Sequence, residues 1–134
     1  MMGSKNRQIL ELWWPAFTVM TIIFIASSIP GNKMPDMGTF DFSVKKAGHA
    51  LGYGFLAAAY LRALTAVRRA SEREISLAAF LTLLYAISDE CHQIFTPGRT
   101  ASPFDVMIDM VGATIGLTVW VRMRRRAVSQ SNNP

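Results

Sequence analysis

Residues 75–99 decide the fold: an apolar run from Ile75 to Ile87 passes without a break into Ser88-Asp89-Glu90-Cys91-His92-Gln93-Ile94-Phe95-Thr96-Pro97-Gly98-Arg99. A helix needs about 20 residues, within a range of about 17 to 25, to cross the hydrocarbon of a bilayer. The apolar part alone is too short for that. It reaches span length only if the helix continues through Asp89 and Glu90, and the chain then holds four helices instead of three. Thr96-Pro97-Gly98-Arg99 follows as a turn, with proline and glycine where a type II turn takes them. Beyond it Ser102, Pro103 and Asp105 have the spacing of a helix start: a cap, a first helical position, and a carboxylate three residues after the cap.

Working outward, the other apolar runs are Leu12 to Ile25, Ala47 to Leu64 and Phe104 to Val121. A chain of 134 residues with 17% charged residues and mean hydropathy +0.24 has too little polar surface to wrap four such helices as a soluble core. The expectation is all-α, a single membrane domain over residues 1–134 forming a four-helix transmembrane bundle. Its helices are placed at about 10–28, 44–64, 74–92 and 103–122, with a disordered tail at about 127–134. The first run ends in Ala26-Ser27-Ser28, as a cleavable signal peptide would, but its length and the Trp13-Trp14 pair favour a retained anchor.

Charge placement orients the bundle. Ten of the fourteen basic residues, Lys5, Arg7, Arg62, Arg68, Arg69, Arg73, Arg122, Arg124, Arg125 and Arg126, fall on one side of a four-helix alternation. Lys33, Lys45, Lys46 and Arg99 fall on the other. The positive-inside rule puts both termini in the cytoplasm, and Trp13, Trp14 and Trp120 lie at that inner interface. The expected location is a bacterial cytoplasmic membrane, crossed several times. Asp36, Asp41, Asp89, Glu90, Asp105 and Asp109 gather on the outer side. A net charge of +5 invites nucleic acid as a partner, but no basic stripe interleaved with aromatics is present, so none is expected. The single cysteine, Cys91, excludes an intramolecular disulfide and a cysteine-based zinc cage.

The outer side carries the candidate site, expected at the ends of the second, third and fourth helices. Charges near hydrocarbon are expensive, so this cluster reads as functional. Lys45, His49 and Tyr53 follow one another by one helical turn each. Tyr85, Asp89, His92 and Gln93 share a broad face. Asp105 suits helix capping, while Asp109 lies a turn deeper and calls for a partner among Arg99, Lys45 and His49. Asp89 and Glu90 oppose the dipole at a helix C-terminus. Two readings stay open there: acid–base work by Glu90, His49 or Asp89, or a structural ion-pair network with Arg99, Lys45 and Lys46. Arg99 suits a phosphate, with Lys45 and Lys46 beside it, or a clamp onto Asp89 or Asp109. No HExxH or similar spacing is present, so no metal ligands or cofactor are assigned. Gly48 with Gly52, and Gly112 with Gly116, are small-residue pairs that let helices approach closely, within one bundle or between copies of the chain.

Taken together, Lys45-x3-His49-x3-Tyr53 and Ser88-Asp89-Glu90-x2-Gln93-x-Phe95-x-Pro97-Gly98-Arg99-x5-Asp105-x6-Gly112-x3-Gly116 resemble the VanZ-like family of small membrane proteins. The Ser27-Ser28-Ile29-Pro30 segment is similar as well. The resemblance spans roughly residues 12 to 121. It departs at Asp109, where the family commonly carries Asn. The founding member is associated with low-level resistance to teicoplanin, a glycopeptide that binds cell-wall precursors outside the membrane. The resemblance therefore implies a role at the cell envelope. On this reading Arg99, Lys45 and Lys46 meet the phosphate of a lipid or cell-wall precursor headgroup, and His49, Glu90 and Gln93 orient it. A membrane enzyme doing acid–base or metal-assisted chemistry on such a headgroup, the metal held by His49 with His92, Glu90, Asp105 and Asp109, and a partner subunit without a site of its own, remain alternatives.

Overall fold

The computed structural model describes residues 4–33, 41–66 and 69–131. Four α-helices, α1 (Ser4–Ser27), α2 (Asp41–Thr65), α3 (Glu72–Gln93) and α4 (Pro103–Ser131), are joined by short connections, the first containing a 3-10 turn at Gly31–Lys33. No strand occurs among the described residues. The fold is all-α, as expected, and α3 runs unbroken through Asp89 and Glu90 to Gln93. Asp36 and Arg68, and the side chain of Asp41, lie outside the described residues.

The helix ends have local causes. Glu74 Oε2 accepts the Ser71 backbone N–H at 2.9 Å, fixing the start of α3. At the other end, Arg99 N donates to Thr96 O at 3.1 Å, and Gly98 has φ +73°, the type II turn that Pro97-Gly98 predicts. Ser102 Oγ accepts Phe104 N–H at 3.2 Å and opens α4 behind Pro103. One boundary differs from expectation. α4 continues to Ser131, so residues 127–131 are helical instead of part of a disordered tail. Arg122, Arg124, Arg125 and Arg126 are good helix formers, and nothing before Ser131 breaks the run.

α2 packs on all three other helices and most extensively on α4, whereas α1 and α4 do not pack on one another. The seam between α2 and α4 is backbone against backbone. A Cβ at Gly112 would strike the Ala50 carbonyl, and one at Gly116 the Gly54 carbonyl. Gly112 and Gly116 thus act as the sequence suggests. Gly48 and Gly52 do not. Gly48 has no neighbour where its Cβ would stand, and Gly52 meets only the Ile23 side chain. The matching face of α2 is Ala50 and Gly54.

The interior mixes small residues, including Ala16, Ala57, Ala78, Ala86 and Ala113, with Tyr53, Leu56, Tyr60 and Leu61 of α2, while Ile22, Leu51, Phe55, Phe80, Ile115 and Val119 point outward and stay exposed. Alanine contacts inside and so many large apolar side chains outside suit helices packed in lipid better than a water-soluble core. α1 over Arg7–Ser27 and α4 over Pro103–Gln130 are long and apolar enough to cross a membrane. α2 and α3, at 25 and 22 residues, have the length but carry polar residues at the end described next.

Candidate functional site

All four helices contribute to one polar end, not the three expected. The C-terminus of α1 brings Ser27 and Ser28. The first turns of α2 bring Lys46, His49 and Tyr53. α3 ends in Asp89, Glu90, His92 and Gln93, and α4 opens with Asp105 and Asp109. Asp89 is 4% exposed, Glu90 6%, Gln93 3% and Asp109 0%, so these are interior groups despite their chemistry.

Asp89 is held by two donors on the same oxygen, Ser27 Oγ at 2.8 Å and Gln93 Nε2 at 3.1 Å. Gln93 also donates to Glu90 Oε1 at 3.0 Å, and Glu90 Oε2 accepts the Ser102 backbone N–H at 2.9 Å. The N–H that a capping box would give to Asp105 is thus taken by Glu90 from α3. Asp105 pairs instead with Lys46 of α2. Both Glu90 oxygens are engaged, so its geometry is that of a strut between α3 and α4. Asp109 finds His49, with Nδ1 3.6 Å from Oδ1, one of the partners expected for it. His49 stacks on Tyr53, ring centroids 6.3 Å apart, and Tyr53 approaches Tyr85 at 6.2 Å.

Arg99 does not meet Asp89 or Asp109. Its Nη2 donates to Ala26 O at 3.0 Å and its Nε to Ile29 O at 3.3 Å. It therefore caps the end of α1, where a cation complements the dipole and satisfies orphan carbonyls. A backbone bond between Gly31 N and Pro97 O, 3.0 Å, holds the two loops together. A side chain at Gly31 would collide with the Gly98 carbonyl. The ion-pair network imagined around Asp89 and Glu90 is thus replaced by neutral donors.

Ser27 and Ser28 belong to the site although the sequence assigns them no chemistry, only the end of the first apolar run and a share in the family resemblance. Ser28 Oγ lies 3.0 Å from His92 Nε2 and donates its single proton to Phe24 O at 2.7 Å. His92 is therefore the donor of that pair. Their signal was the Ser-Ser pair at the end of an apolar run, which composition alone cannot separate from an ordinary helix stop. Cys91 is exposed and takes no part.

Four buried atoms of this cluster make no close hydrogen bond: Asp89 Oδ1, both oxygens of Asp109, whose Oδ1 keeps the longer contact to His49, and the Tyr53 hydroxyl, which lies near Asp89. Unpaired buried acceptors are rare and costly. Against these two carboxylates the described residues set only His49 and the Tyr53 hydroxyl besides the donors on Asp89 Oδ2, so acceptor capacity is left over. It suits a group that brings N–H or O–H donors. Among the described residues, no three of His, Cys, Asp and Glu are arranged to hold a metal ion.

No curated protein and no solved structure matches the chain. A sequence profile does. With the Asp89–Glu90–Gln93 cluster, the Pro97-Gly98-Arg99 turn and the Gly112/Gly116 seam in place, residues 6–124 match the VanZ/LLP1 profile, and the chain belongs to the VanZ/LLP1 family.

Proposed function

We propose that the protein is an integral membrane protein of four spans, both termini cytoplasmic, whose outward-facing polar end binds the headgroup of a lipid or cell-wall precursor and so alters glycopeptide sensitivity. The outward apolar surface and the two apolar helices support the membrane placement. The arginine distribution supports the orientation. Arg62 reaches Leu12 O at 2.9 Å and Arg124 reaches Ala66 O at 2.7 Å, so the basic ends of the helices lie together, opposite the acidic cluster.

The observation that carries the binding reading is that Asp89 Oδ1 and the Asp109 carboxylate are buried acceptors short of donors, with only the Tyr53 hydroxyl near the first and the His49 contact on the second among the described residues. It favours recognition of a headgroup through its hydroxyl or amine donors. Contacts to phosphate by Arg99 and Lys46 are less favoured, because those side chains already serve the α1 carbonyls and Asp105. Asp89→Asn with Asp109→Asn keeps the shape and removes the acceptors' charge. In a susceptible bacterium, wild-type protein raises the teicoplanin concentration needed to stop growth, and the double variant at equal abundance does not. Equal sensitivity with and without the wild-type protein rejects the glycopeptide role.

A further inference from the structure

Two openings at the basic end share a wall. The first is a cavity of about 390 Å³ bordered by Arg69, Arg124, Arg125, Thr65 and Trp120. The second is a groove of about 630 Å³ along α2, lined by Leu51, Phe55 and Ala58 of α2, by Val19 of α1 and by Ile115 of α4, with Arg62 at its basic end. Trp120 lines both. The groove exists because α1 and α4, which flank α2, do not pack on one another.

The cavity is suited to an anion. Arg124 lies over the Trp120 ring, 5.9 Å from its centroid, and is pinned by its bond to Ala66 O. A guanidinium carries five donors, and among the described residues this bond is the one protein hydrogen bond Arg124 makes. Arg69 and Arg125 have no carboxylate partner among the described residues. Three arginines around one cavity repel each other unless an anion sits between them. The groove is suited to a hydrocarbon chain. From Leu51 to Arg62 it follows α2 for roughly 16 Å at about 1.5 Å per residue, close to one leaflet's share of a hydrocarbon core about 30 Å thick.

We infer that the basic end binds one anionic phospholipid, its phosphate among Arg69, Arg124 and Arg125 and one acyl chain in the groove beside Ala58, with Trp120 at the junction. A free anion would leave the apolar groove unexplained. A second copy laid alongside in the same orientation would bring its own arginines against these. The site is separate from the polar end and rests on the proposed orientation only for its leaflet, the cytoplasmic one, where anionic lipids and basic pockets meet.

The test is native mass spectrometry of the full-length protein in detergent, titrated with phosphatidylglycerol, phosphatidylcholine of the same chains, and inorganic phosphate. Wild type takes up phosphatidylglycerol about tenfold more tightly than phosphatidylcholine. The Arg69→Gln, Arg125→Gln double variant loses that preference, and Ala58→Phe weakens both lipids. Inorganic phosphate does not displace the lipid. Helix content and melting midpoint show that each variant is folded. Asp89→Asn with Asp109→Asn, which tests the polar end, leaves the preference intact, so the two readings fail separately. Equal affinity for the two lipids in wild type overturns the inference. So does a preference that survives in the folded arginine variant, or displacement by phosphate alone.

Discussion

Ser102 shows how single groups join the helices at the polar end, since its backbone N–H goes across to Glu90 on α3 and not to Asp105 on its own helix. Asp105 is thereby left for Lys46 on α2. Exchanging local for tertiary partners ties three helices with two carboxylates. Asp89 adds the fourth through Ser27. Ser27→Ala removes one of the two donors on Asp89 Oδ2 from a fully buried position, and a loss of about 1–3 kcal/mol is expected. A lowered unfolding midpoint in detergent checks it, and an unchanged midpoint would show that Asp89 does not depend on that bond. Gly98→Ala acts differently. It forces a Cβ into φ +73°, at a cost of about 1–2 kcal/mol, and loosens the turn that positions Arg99. The same melting assay reads it.

Among the helices, the α2–α4 seam governs the packing. Gly112→Ala and Gly116→Ala each drive a methyl into a backbone carbonyl of α2. Such overpacking costs about 1–3 kcal/mol, seen as a lower midpoint or as loss of the folded species in size-exclusion chromatography. Gly48→Ala, inside α2 with open space at its Cβ, is expected to raise stability by about 0.5–1 kcal/mol. That contrast is informative because sequence ranks the two pairs alike. The four helices, the turn and the α4 start were legible, since apolar run length and Pro-Gly chemistry are local properties. The rotation of α2 was not. Gly48/Gly52 and Ala50/Gly54 both have small-residue spacing, and only packing selects the stripe that meets α4. Arg99 escaped for a related reason: its acceptors are backbone carbonyls at the end of α1 and in the loop after it, which carry no side-chain signature. The polar cluster was legible by residue type, because acids are expensive anywhere in an apolar chain, and Asp89, Glu90 and Asp109 are indeed buried. Their pairings were not, with the exception of His49 and Asp109.

For the molecule as a whole, the surface is apolar around its girth, acidic and hydrogen-bonded at one end, and arginine-rich at the other. That polarity makes orientation measurable. In a Cys91→Ser background, Thr100→Cys on the exposed loop before α4 is expected to react with a membrane-impermeant maleimide added to intact cells. Ser129→Cys near the end of α4 should react only after lysis, and the opposite pattern would invert the bundle. The function proposed for the polar end rests on buried acceptors short of donors, so its most direct test is mass spectrometry of the lipids that co-purify with the protein. Wild type should carry a species whose headgroup bears hydroxyl or amine donors, reduced by about tenfold or more in the Asp89→Asn, Asp109→Asn variant. The phospholipid at the basic end should be unchanged. An identical lipid profile from the folded variant would contradict headgroup binding at this site.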